Sequence, residues 1–513
     1  MRSTRTHALR LAITVGVLAA LGLGALPAAR GAPRVPQDTL VVAQGFDPRC
    51  LSPLFGTAQQ DKNVSGQVVE RLVQFSPDSL GYTPELAIRW EKTAPDTLRV
   101  HLRRGVRFTN GEEFNAHSAR YSLEQMLRAP SLALFIAHLS RVEVVDLYTV
   151  DIKAKGPTSE RLMLSALAMG SFQYPPQYTE RVGLLRGFCT APVGTGPYKF
   201  VEWVKDDRVV FEANTDYWGG TPRIRRLIFR PIPEGAARVA ALQAGDIDLG
   251  IEIPLDAMDR VSNDPNLTTH AIRGMRIFRL TTAAKWEGPL QNKKVRQALQ
   301  YAVDTSSIIR TVLKGRARQL DAQPLTPEYF GYIQGTKPYP YDPERAKRML
   351  AEAGFPNGFE ITFKYPHGRY AQDKEISEVI AAQLLRVGVR TRQVVLEPGE
   401  FLTQLSQLGL RDMFYSGSLP PPDAHYFYVQ FMCNFRYAYW CRPDFDELVT
   451  RAVGMASDQD RLRIYRQIHE LLQDDPTGVP LFAPSDIYAT SKSVAGWRPH
   501  KDQFLYFAKV YKR

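Results

Sequence analysis

The sequence predicts an α/β protein, built as one large globular unit or two linked lobes, and three observations carry that expectation. The chain of 513 residues is 44% hydrophobic and 23% charged, enough apolar material to close a sizeable core and too much for disorder. The stretches 361–365, 376–385 and 389–396 read in turn as strand, amphipathic helix and strand, with Ile376, Val379, Ile380 and Leu384 on the inward face. The clearest helix opens with Asp342 as N-cap and Pro343 at the first helical position, places Ala346, Met349 and Leu350 on one face, and stops at Gly354.

The other elements follow in order. Thr39 to Ala43 is a buried strand entering a turn at Asp47-Pro48. From Leu98 to Phe108, Leu98, Val100 and Leu102 alternate with Arg99, His101 and Arg103, the pattern of a half-exposed strand. A turn at Asn110-Gly111 and a helix around 118–127 come next. Residues 198–203 and 208–212 form strands joined by Lys205-Asp206-Asp207, with a further extended piece at 227–230. Residues 234–244 are a helix ended by Gly245, leading into a strand at 247–251. Beyond Leu280 the pattern turns mainly helical, opening with Val295, Leu299, Ala302 and Val303. Leu462, Tyr465, Ile468 and Leu472 form one more amphipathic helix before the proline-containing segment 476–484.

Arg2, Arg5 and Arg10, the apolar run Leu11 to Leu26, and the small residues Ala28, Ala29 and Gly31 have the order of an export signal. Cleavage after Gly31 is expected, and residues 1–31 are set aside as leader. No cysteine follows the run to accept a lipid, so a free periplasmic protein is expected. With Arg2, Arg5, Arg10 and Arg30 in the leader, the net charge of +12 leaves only a mild basic bias on the mature chain. The basic residues are scattered, without the aromatic-interleaved stripe of a nucleic-acid surface, so no nucleic-acid partner is expected. An oxidising compartment permits two disulfides among Cys50, Cys189, Cys433 and Cys441. Cys433 with Cys441 closes a short loop, and Cys50 with Cys189 follows by elimination.

Catalytic and cofactor signatures fail on inspection. Gly194-Thr195-Gly196-Pro197 is followed by Lys199 where a dinucleotide fingerprint needs its third glycine. The plain reading is a tight turn where backbone comes close to something. His469-Glu470 lacks the second histidine of a zinc-protease helix, that position being Gln473. No nucleophile elbow or clustered Cys/His set occurs, so no enzyme, metal or cofactor is expected. Aromatic and charged residues gather between Phe414 and Tyr439, among them Tyr415, Asp423 and Tyr426, which suits a binding wall and equally an aromatic core. Pro420-Pro421-Pro422 stiffens the chain before Asp423. Arg369 lies in the break after a strand, where a guanidinium can clamp a carboxylate.

Together, several segments resemble the extracellular solute-binding proteins of the peptide and nickel class (family 5), receptors of ATP-driven importers. These are Pro84-Glu85-Leu86-Ala87 with Trp90, Leu102 through Phe108 with Asn110-Gly111, and Pro192 through Tyr198. Asn214, Asp216-Tyr217-Trp218, Gly245 through Asp248, Val295 through Leu299 and Tyr341 through Gly354 complete the likeness. The resemblance implies a two-lobed periplasmic binding protein fold with a hinge: lobe I over 32–275 with an extra subdomain at about 56–188, lobe II over 276–481, and a return to lobe I over 482–513. It implies a monomer that captures a peptide or carboxylate-bearing solute and delivers it to the permease subunits of an ABC importer.

By the same resemblance Arg369 clamps a ligand carboxylate; Tyr370, Tyr415 and Tyr426 are expected to stack or pack on the solute, and Asp423 to meet a polar or cationic group. Ser418 replaces the acid that dipeptide-binding members use for the ligand's amino group, and Asp423 matches a later acid of that region. Asp47, Gly194, Thr195 and Gly196 are expected to border the cleft, and Cys433 and Cys441 with Trp440 match the family's short disulfide loop. The family's usual acidic pair is absent at Asn115-Ala116-His117-Ser118. A secreted hydrolase is the alternative of another class, and a receptor for a metal chelate is a third.

Overall fold

The computed structural model describes residues 35–56, 58–76 and 81–513; the expected leader, residues 1–31, lies outside them. Its frame is one mixed sheet of 12 strands, and the way that sheet is shared between two halves of the chain sets up everything else. Thr39–Gln44 lies between two parallel neighbours, Arg226–Pro231 and Leu249–Ile251. The hairpin Tyr198–Val204 with Arg208–Ala213 extends that side, its turn closed by Asp206 at φ 60°. On the far side Phe359–Pro366 runs parallel to Val389–Leu396 over its whole length, the intervening helix Asp373–Arg386 covering the pair. That crossover is the strand, helix and strand anticipated from apolar periodicity.

One strand, Gly478–Ser491, joins the halves. Its second part pairs antiparallel with Leu267–Arg273, and its first part with Ile277–Thr282, so the chain passes from one half to the other at residues 274–276 and returns inside this strand. Two of its prolines, Pro480 and Pro484, face Arg279 and Ala317, and the ladder slips register at Phe278/Arg279. What the sequence marks only as a proline-containing segment is therefore the connecting strand. At Gly274 the two passages touch: an added Cβ would lie 2.2 Å from the Pro484 carbonyl oxygen, closer than any side chain tolerates.

Separate cores support the two halves. Leu40, Val42, Phe211, Leu227 and Phe229 pack in the first, and Leu280, Val295, Phe363, Ile376 and Leu384 in the second. A four-stranded antiparallel sheet, in the order Ala87–Ala94, Thr97–Leu102, Thr149–Ala154, Leu139–Asp146, adds a third core around Leu98, Val100, Phe114 and Ile152. The predicted strand through Phe108 ends at Leu102, because Gly105 turns the chain at φ 73°. The helix Pro343–Glu352 begins as anticipated, with the Asp342 carboxylate accepting from the Arg345 N–H at 2.8 Å.

Candidate functional site

Between the halves lies a cavity of about 580 Å³, its walls drawn from both, a size suited to a small organic ligand. The second half contributes the central strand Ile277–Thr282 and its neighbour Met413–Ser418. Strand alternation sorts their side chains. Arg279, Thr281, Ser416 and Ser418 line the cavity, while Phe278, Leu280 and Tyr415 form the core behind it.

Arg279 is the centre of this wall. Its Nη1 donates to Ser418 Oγ at 2.9 Å and its Nε to Thr281 Oγ1 at 3.2 Å, and its guanidinium lies over the rings of Phe427 and Phe431. Among the described residues no carboxylate lies within ion-pair distance of it. Burial lowers its pKa to about 10, the expected response of a cation taken from water without a counter-charge. Sequence reasoning missed Arg279; the available signal was a lone arginine inside the apolar run Ile277-Phe278-Arg279-Leu280.

Arg369 and Tyr370 sit at the rim of the same cavity. The Asp373 carboxylate shapes their loop by accepting from the backbone N–H groups of Gly368, Arg369 and Tyr370 at 3.0–3.2 Å. Arg369 is exposed, with its Nε donating to the Tyr370 hydroxyl at 3.0 Å, and that hydroxyl donates to the Gly417 carbonyl at 3.1 Å. Pro420, Pro421 and Pro422 also face the cavity.

The first half supplies Lys62, Arg71, His500 and Asp502. Arg71 is neutralised by Glu85 at 3.6 Å and donates to the Ala168 carbonyl and the Tyr506 hydroxyl. His500 pairs with Asp502 at 2.5 Å. Lys62, on the short helix Gln59–Ser65, has no such partner among the described residues, and burial followed by the charge of Arg71 lowers its pKa.

Several expected residues lie elsewhere. Tyr415 is fully buried against Phe278, with ring centroids 5.3 Å apart, because its strand position points it away from the cavity. Asp423 is also fully buried: Arg461 Nη2 donates to both its oxygens at 2.7 and 2.8 Å and the Tyr465 hydroxyl adds a third bond at 2.9 Å. Its charge is thus spent on Arg461, and it does not face the cavity. Tyr426 packs in the core beside Phe135.

Asp47 does not border the cavity either; it anchors the neighbouring hairpin by accepting from Trp203 Nε1 and the Asp206 N–H. Gly194 and Gly196 let their loop press onto backbone, since a Cβ would meet the Val68 carbonyl oxygen at 2.0 and 2.7 Å. Thr195 donates to the buried Glu70 at 2.8 Å. The Gly194-Thr195-Gly196 turn is therefore a joint within the first half. Both disulfides, Cys50–Cys189 and Cys433–Cys441, are formed.

Outside the cavity lining the halves also touch directly. Arg461 Nη1 donates to Ser159 Oγ at 3.0 Å, Arg161 pairs with Asp458 at 2.9 Å, and the buried rings of His138 and His425 meet edge to face at 6.0 Å.

Two α/β lobes sharing one connecting strand, with a largely apolar cavity carrying a few charged groups between them, define a two-lobed binding protein of the periplasmic type. The model of the family described as bacterial extracellular solute-binding proteins, family 5 Middle, matches residues 81–438, and the chain belongs to that family. Heme-binding protein A of Haemophilus influenzae is 29% identical over 487 residues, covering 87% of this chain and 88% of the relative. Glutathione-binding protein GsiB of Salmonella choleraesuis is 27% identical over 510 residues, covering 94% and 96%. Among solved structures, the periplasmic binding protein DppA of Helicobacter pylori in complex with a peptide superimposes with a TM-score of 0.80 at 25% identity, over 92% of this chain and 98% of that one.

Proposed function

We propose that this protein is the periplasmic receptor of an ABC importer, capturing a carboxylate-bearing organic solute between its lobes and delivering it unchanged to the permease. The observation that carries the reading is Arg279, a desolvated guanidinium on the cavity wall whose polar partners are hydroxyls rather than an acid. A half-buried cation without a counter-charge carries a desolvation cost, and a ligand carboxylate would relieve that cost with a two-pronged, charge-assisted contact. Relatives that take glutathione, heme or a peptide support the general role. Closure would bring Tyr370 and Arg369 over the bound solute and sequester it from water. No helix among the described residues is long and apolar enough to cross a membrane.

Native mass spectrometry of the purified mature protein would identify a co-purified ligand, and calorimetry would then compare wild type with Arg279→Gln. Losing about two charged hydrogen bonds predicts a loss of roughly 3 kcal/mol, on the order of a hundredfold in Kd. Unchanged affinity in Arg279→Gln would remove the clamp, and recovery of a chemically converted solute would remove the receptor role.

A further inference from the structure

The charge on the cavity wall is lopsided. Lys62, Arg71, Arg279, Arg369, Arg436 and Lys501 line it, against only Glu328 and Asp502 among acids. Both acids are already engaged: Glu328 pairs with Arg318 at 2.9 Å, and Asp502 accepts from His500 and the Tyr506 hydroxyl. Arg71 has Glu85. Lys62 in the first lobe and Arg279 in the second do not have an acid at ion-pair distance among the described residues, and they stand on opposite walls of one cavity. The rest of the lining is largely apolar, with Leu132, Phe135, Met169, Phe431 and Phe435 among its residues.

Resting on the receptor reading above, we infer that the solute is an organic dianion: one acidic group is held by Lys62 on the first lobe, a second by Arg279 on the other, and an apolar body lies between. An opposite charge reaching a desolvated cation stabilises the pair far more than it would in water. Because the two cations belong to different lobes, only a ligand with both acids bridges them, so charge count selects the ligand and couples its capture to closure. The lowered pKa of each cation accords with this placement. An ammonium here also accepts either a carboxylate or a phosphate, while the Arg279 fork favours a planar carboxylate.

The test uses three matched probes with one aromatic body: N-succinyl-phenylalanine, which carries an acid at each end, and N-acetyl-phenylalanine and N-succinyl-phenylalanine amide, which each keep one. By calorimetry on the mature protein, the dianion should bind at least about thirtyfold more tightly than either monoanion. Lys62→Met should abolish the advantage contributed by one acid, Arg279→Gln that contributed by the other, and Lys62→Arg should restore most of the first. Lys62→Met should also melt no lower than wild type without ligand, since Lys62 makes no ion pair within the protein among the described residues and burial opposes its charge. Equal binding of dianion and monoanions, or an undiminished dianion preference in Lys62→Met, would overturn the inference. Failure of N-succinyl-phenylalanine to bind would overturn it too, while a solute recovered intact by native mass spectrometry would leave the receptor reading standing.

Discussion

Asp423 shows how far a single side chain's role depends on its neighbours. Read alone it is an acid at the edge of an aromatic segment, suited to a cationic ligand group; in place, Arg461 and Tyr465 use up its oxygens. Removing its charge leaves the buried Arg461 guanidinium with only the part-exposed Asp458 at 3.4 Å, which costs on the order of 3 kcal/mol. Asp423→Asn should therefore lower the melting temperature by several degrees in a thermal scan while leaving solute affinity of the folded protein near wild type. Intact stability combined with lost binding would return Asp423 to the site. Tyr415 and Ser416 make the same point by parity: adjacent on one strand, one is core and the other cavity wall. Sequence marks the aromatic as the binder, whereas the pleat selects the serine.

At the level of elements, the connecting strand Gly478–Ser491 concentrates the unusual chemistry. Asp486, paired across from Ile272 beside the crossing, is half-buried with its Oδ2 shut off from solvent and unpaired, and that desolvation raises its pKa to about 7 despite Arg276 and a hydrogen bond from Gln503 at 2.7 Å. The folded protein then keeps a proton that the unfolded chain releases near pH 3.8. Between about pH 4 and 7 the native state binds more protons, so this group's contribution to stability falls as pH rises and levels off above about 7. Asp486→Asn should remove that decline and exceed wild type at pH 8 by on the order of 2–4 kcal/mol, read from urea melts at pH 5 and 8. Parallel slopes for the two proteins would refute the assignment. The motifs that carry the family resemblance are mostly joints of this kind. Thr195, Tyr217 and Trp218 all donate to the buried Glu70, whose pKa burial and then Glu85 raise to about 8. Arg296 holds the carbonyls of Leu290 and Pro476 at 2.6 and 2.9 Å.

For the molecule as a whole, closure as proposed above would leave the lobe contacts outside the cavity to set the balance between closed and open forms. His138 and His425 face each other from different lobes, and burial, before any charge, lowers both to about 3; His425, Arg461 and Lys155 add to the lowering of His138 against Asp423, while Arg461 adds to that of His425 against a backbone hydrogen bond at Phe135. Stability from these neutral rings is complete above about pH 6.5 and is lost as pH falls toward 3. Since opening would expose both rings, acid favours the open form: small-angle scattering should give a larger radius of gyration at pH 5 than at pH 7.5, and the His138→Phe/His425→Phe protein should show no such change. Identical curves at the two pH values for wild type would rule this out. The slope is opposite to that of Asp486, so single variants are needed to separate the two.

Local order along the chain was enough to determine the α/β class, the capped helix at Asp342, the strand, helix and strand from Phe359 to Leu396, and the family, because periodicity, caps and motif order are properties of consecutive residues. The binding wall was decided only by tertiary structure. Arg279, Lys62 and the rim at Arg369 come from segments far apart in sequence, and which face each presents depends on pleat, register and the meeting of two lobes. Short-range pattern carries no information about a charge whose partner is missing, and that absence becomes visible only when every neighbour is in place.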